Sequence, residues 1–115
     1  MGFTIYYKGT LAEGKAPSDV FDAVSDAIKE TSWPLVIEGD TAYIDFPGDM
    51  IAEPIGFDLT SRSMEGMSKL IFSEPEEFYT LFNLFYAISP LFDDYEVSDD
   101  FNAWPEFLAE KQNNA

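Results

Sequence analysis

Residues 78–88 read FYTLFNLFYAI, in which only Thr80 and Asn83 are polar. The preceding Ser73-Glu74-Pro75-Glu76-Glu77 offers a capping residue, a first-turn proline and three acids where a helix dipole favours negative charge. The predicted helix, about 75–88, is apolar almost all round and must be covered on more than one side. It does not suit a membrane. Asn83 and Pro90 interrupt the apolar stretch from Phe78 to Phe92, which is shorter than the ~20 residues a span needs. Phe78, Leu81, Phe82, Phe85 and Ile88 are expected to face the core. The other side, Tyr79, Leu84 and Tyr86, is expected to lie under the segment 90–100 and a last helix. A homodimer contact or a small apolar ligand is the alternative cover.

The rest of the chain supplies a sheet for that helix. Phe3-Thr4-Ile5-Tyr6-Tyr7-Lys8-Gly9-Thr10-Leu11 alternates with period two and reads as a first strand. Val20, Val24, Ala27 and Ile28 recur at helical spacing, which predicts an amphipathic helix over about 18–31 with Ser18 as its N-cap. Leu35-Val36-Ile37-Glu38 and Thr41 to Phe46 flank Gly39-Asp40, a pair suited to a type II′ hairpin turn. Pro47-Gly48-Asp49 is a second turn, and Ile55 to Leu59 alternates again behind Pro54. Thr60 to Met67 reads as a polar connection to a short strand at Lys69–Phe72. A last helix is predicted to start near Asn102, with Pro105 in its first turn, burying Trp104 and Leu108; residues 112–115 are expected to fray. The order of elements predicts a single α+β domain over residues 1–112, a mostly antiparallel sheet with helices packed on one face.

Charge bounds the partners. The 115 residues include 22 acids and 6 bases, a formal net charge of −16. Such a chain repels nucleic-acid backbones and anionic membrane surfaces, and its scattered cations form no basic stripe. The N-terminus lacks the basic and apolar regions of a signal peptide, and Tyr6 stands where a myristoylation motif wants Ser or Thr. A cytoplasmic location is the resulting expectation. No cysteine or histidine occurs in the sequence. Disulfides, thiolate nucleophiles, Cys/His zinc sites and imidazole general bases are thereby excluded.

The remaining motifs do not nominate an enzyme. The run Asp93-Asp94-Tyr95-Glu96-Val97-Ser98-Asp99-Asp100 holds five carboxylates, but an EF-hand loop starting at Asp94 would need Gly at residue 99 and Glu at residue 105, where Asp99 and Pro105 stand. A solvated acidic loop, its Ser98-Asp99-Asp100 end capping a helical turn, is the plainer reading. Carboxylate pairs at glycosidase spacing will arise by chance among so many acids. Thr60-Ser61-Arg62-Ser63 gathers hydroxyls around the single arginine, yet no Gly-rich strand-to-helix turn accompanies it. Arg62 is expected to pair with an acid instead.

The expectation is a small acidic binding protein without enzymatic activity or cofactor. Its partner is expected to be basic: a cationic toxin, as for immunity proteins, or a DNA-binding protein whose phosphate site the carboxylates occupy. Residues 74–115 carry ten acids against one base, and half of those acids lie in the 93–100 run. Asp93, Asp94, Tyr95, Glu96, Asp99, Asp100 and Phe101 are therefore the candidate partner-binding residues, with Tyr95 and Phe101 as apolar anchors.

Overall fold

The computed structural model describes residues 3–46, 51–71 and 75–113. Their order is β1 (Phe3–Leu11), α1 (Pro17–Ala27), β2 (Leu35–Glu38), β3 (Thr41–Ile44), β4 (Ile51–Ala52), β5 (Ile55–Asp58), β6 (Ser63–Ile71), α2 (Pro75–Ile88), a 3-10 turn at Ser89–Leu91, β7 (Phe92–Asp99) and α3 (Ala103–Asn113). The α+β class holds, but the strands divide between two antiparallel sheets rather than forming one. The larger has the order β4-β6-β1-β7, the smaller β2-β3-β5.

Three local expectations are corrected. The segment 60–67 is not a connection, because β6 begins at Ser63 and pairs with β1 from Phe3↔Leu70 to Thr10↔Ser63. Its inward positions, Met64, Gly66, Ser68 and Leu70, include two small residues that hide the apolar alternation. They are small for a reason. The Tyr7 ring occupies the space of a side chain at Gly66, 2.7 Å from where a Cβ would stand, and the Ser68 hydroxyl donates to the Pro54 carbonyl at 2.9 Å. The second correction concerns 93–99, which is an edge strand and not a solvated loop. Thirdly, α1 is capped at Ala16 rather than Ser18. Pro17 fills the first helical position, where its fixed φ fits, and the Asp19 carboxylate accepts the Ala16 N–H at 2.8 Å. The helix stops at Ala27, short of 31, because the Thr31 hydroxyl and amide both donate to the Ile28 carbonyl and fold the chain back.

The hairpin at Gly39-Asp40 is present, with Glu38 opposite Thr41 and Gly39 at φ +62, the sign a type II′ turn requires at its first position. The turn expected at Pro47-Gly48-Asp49 and the capping Ser73-Glu74 lie outside the described residues, as do Asn114 and Ala115; α3 itself continues to Asn113.

Helix α2 is central. Leu81, Leu84, Phe85 and Ile88 are fully buried, so Leu84 belongs to the core and not to the outer side. The cause is that α2 is covered from three directions. α1 packs along it, Tyr7 of β1 and Phe57 of β5 reach Phe85 with ring centroids 5.1 and 6.4 Å away, and Trp104 and Phe107 of α3 meet Phe82 at 5.7 and 5.5 Å. The last helix thus covers Phe82 and reaches the Tyr86 ring through Phe107 at 6.2 Å, but Tyr79 and Tyr86, expected to lie under the C-terminal segment, stay about half exposed. One face of the large sheet lies against α2 and β5; on the other, Tyr6, Lys8, Glu65, Met67, Glu96 and Ser98 are exposed.

Candidate functional site

The acidic run occupies β7, the edge strand beside β1. Register is regular from Ile5↔Asp99 to Lys8↔Glu96, then slips before Thr10↔Asp93. The slip is a bulge at Asp94, whose φ of +51 is a left-handed conformation that Asp tolerates better than most residues. A bulge inserts one residue into the alternation, so Asp93, opposite Thr10, comes to the same solvent-facing side of the sheet as Asp94 and Glu96.

The candidate residues therefore divide. Asp93, Asp94 and Glu96 are exposed, as is Phe101 at 54%. Tyr95 points the other way, stacking on Phe92 at 5.5 Å and donating its hydroxyl to the Phe85 carbonyl at 2.7 Å. Burial pushes its phenol pKa far above the ordinary value. Asp99 is buried, and its carboxylate accepts the N–H groups of Phe101, Ala103 and Trp104 at 3.2, 3.0 and 2.9 Å. That is a helix cap for α3, so its lone pairs are engaged inside the molecule. Asp100 is tied to β1 through the Thr4 amide at 3.1 Å and the Tyr6 hydroxyl at 3.4 Å.

The structure adds residues that sequence reasoning did not single out. On the solvent side of the large sheet, Tyr6 stands opposite Met67 on one flank and Ser98 on the other. Tyr6 is 41% exposed and Met67 55%. The next row is Glu65, Lys8 and Glu96, with Lys8 Nζ 3.1 Å from the Glu96 carboxylate. Together Tyr6, Lys8, Glu65, Met67, Glu96 and Ser98 border a shallow depression of about 510 Å³. A smaller one of about 230 Å³ continues toward Thr10, Ser63 and Asp94. The outward parity of Tyr6 was visible in the β1 alternation. Met67 and Glu65 were hidden because their strand reads as a polar connection.

Other constellations lead elsewhere. Arg62, at φ +65, donates from Nη2 to the Ala12 carbonyl at 3.0 Å. It anchors the β5–β6 turn to the end of β1, and among the described residues it pairs with no acid. Among the described residues no group of three or more carboxylates converges as metal ligands, and no helix is long and apolar enough to cross a membrane. Between α2 and α3 a groove of about 280 Å³ is bordered by Tyr79, Asn83, Phe107, Glu110 and Lys111, with the Lys111 ammonium over the Tyr86 and Phe107 rings. Comparison with protein-family models, with curated proteins and with solved structures gives no match.

Proposed function

We propose that this chain is a binding protein that engages a basic protein partner through the solvent-facing side of its larger sheet. One observation carries the reading: a solvent-exposed apolar centre, Tyr6 beside Met67, lies on a sheet face rimmed by carboxylates. Register and exposure put Glu65, Asp93, Asp94 and Glu96 around it, with Asp100 held at the Tyr6 hydroxyl. Against them stand Lys8, already paired with Glu96, and Lys69 opposite Thr4. An aromatic and a methionine inside a charged rim is the composition of a protein interface, where apolar anchors provide affinity and rim charges set encounter rate and partner sign. The overall charge of −16 adds long-range attraction for a cation and repels nucleic acid. The proposed role is binding, without enzymatic activity.

The test is affinity capture from the native host with three baits: the wild type, Tyr6→Ser/Met67→Ser, and Asp93→Asn/Asp94→Asn/Glu96→Gln. The expected result is a basic protein retained by the wild type at low salt and released at high salt. The carboxylate variant should slow its association and flatten the salt dependence, and the apolar variant should speed its dissociation. A partner that is itself acidic, or one held equally by all three baits at every ionic strength, overturns the reading.

A further inference from the structure

We infer that the partner presents an extended segment that adds as a fifth strand to the open edge of β7, a strand in which Lys or Arg alternates with apolar residues. This rests on the binding reading above and specifies its geometry. β7 ends the larger sheet, pairing with β1 on one side and with no described strand on the other. From Glu96 to Asp99 it runs in regular register with Lys8 to Ile5, so the backbone groups on its far side form a template for another strand.

Its side chains state which strand fits. On the solvent side β7 offers Asp94, Glu96 and Ser98, which border the two depressions of that face. On the other side Tyr95 and Val97 are half-buried against the core. Strand side chains keep their alternation across a sheet, so residues facing Asp94 and Glu96 must be cationic while those beside Tyr95 and Val97 must be apolar. A second copy of this chain does not fit. Pairing two β7 edges would set one row of carboxylates against another, and like charges directly opposite destabilise a sheet. Edge acids and a bulge guard against that self-association. The same acids leave the edge open to a strand of opposite sign.

The probe is an acetylated nine-residue peptide of alternating Lys and Val. Its control has the same sequence with every second amide N-methylated, which keeps charge and apolar surface but removes ladder donors. Amide hydrogen exchange of the intact protein is followed by NMR. The expected result is exchange slowed at least tenfold at amides within 95–99 by the first peptide, with no protection by the second. Equal binding of both peptides, with perturbation confined to Tyr6 and Met67, overturns strand addition while leaving face binding in place. No protection within 95–99 by either peptide overturns it too, whatever the capture experiment returns. Failure of capture to yield a basic partner counts instead against the broader reading.

Discussion

Tyr7 and Gly56 exchange two hydrogen bonds: the phenol hydroxyl donates to the glycine carbonyl at 2.9 Å and accepts its amide N–H at 3.1 Å. One side chain of β1 thereby satisfies both backbone groups of a residue in the other sheet. To get there, the ring crosses Gly66 on the neighbouring strand so closely that a Cβ there would lie 2.7 Å from the phenol oxygen. Tyr7→Phe removes both of these partly buried hydrogen bonds and should cost ~1–3 kcal/mol. Gly66→Ala should cost a similar ~1–3 kcal/mol, because the clashing ring end is pinned by Gly56 and cannot swing aside. Gly56→Ala meets open space and should change little. Urea denaturation of the three variants checks this. Equal small effects at Gly56 and Gly66 would show that the ring position is not fixed.

The same tyrosine shapes the alkaline limit of stability. Burial raises the pKa of Tyr7 and raises that of Tyr95 much further. A raised folded-state value means that the folded chain keeps protons which the unfolded chain releases. Stability from these groups is therefore complete below the unfolded value of about 10 and falls as pH climbs above it. Denaturation midpoints at pH 9, 10 and 11 should decline in the wild type and decline less in Tyr95→Phe. Identical slopes for the two would place Tyr95 in contact with water.

How far the sequence announced this arrangement depends on what each side chain does. β1, the 39–40 hairpin and α2 were legible because their apolar spacing is also their burial pattern: Ile5, Ala42, Ile44, Leu81, Phe82, Phe85 and Ile88 are all buried. β6 was not, since Gly66 and Ser68 face the core as small residues fitted to Tyr7 and Pro54, a tertiary relation invisible to local pattern. β7 was masked by its carboxylates, which read as loop composition but sit on an edge strand that tolerates charge. The division of labour within 93–101 was legible in part: the Ser98-Asp99-Asp100 end was expected to cap a helical turn, and Asp99 caps α3. That Asp99 is buried while Asp93 and Asp94 turn outward was not legible, because the expected loop gives no alternation to separate them.

Phe82 and Phe85 occupy different halves of the core, and truncating them should separate those halves. Phe85 is fully buried between Tyr7 and Phe57, while Phe82 is clasped by Trp104 and Phe107. Either Phe→Ala change should cost ~3–5 kcal/mol, a large share of the stability of a small domain. Phe82→Ala should also alter the emission of Trp104, measured in a Trp33→Phe background, under conditions where the protein remains folded. A loss below about 1 kcal/mol at both positions would assign that helix face to a surface.

Asp99 and its neighbours in the acidic run should behave as two classes. The Asp99 carboxylate serves three amides where the chain leaves β7 and enters α3, and Trp104 and Phe107 just beyond it close the core over Phe82. Asp99→Ala removes that cap from partly and fully buried donors, so it should cost ~1–2 kcal/mol or more and loosen α3. Asp99→Asn, which keeps an acceptor oxygen, should cost less. Asp93→Asn and Asp94→Asn lie on the exposed side and should stay within about 0.5 kcal/mol of the wild type. Association with a cationic partner should rank in the opposite order: slowed by the Asp93 and Asp94 changes, and unaffected by Asp99→Asn once the protein is folded. Chemical denaturation gives the first ranking and stopped-flow association at two ionic strengths the second. A stability cost at Asp93 or Asp94 equal to that at Asp99→Ala would mean that the edge strand depends on its carboxylates for folding, and the assignment of those two residues to encounter would fall.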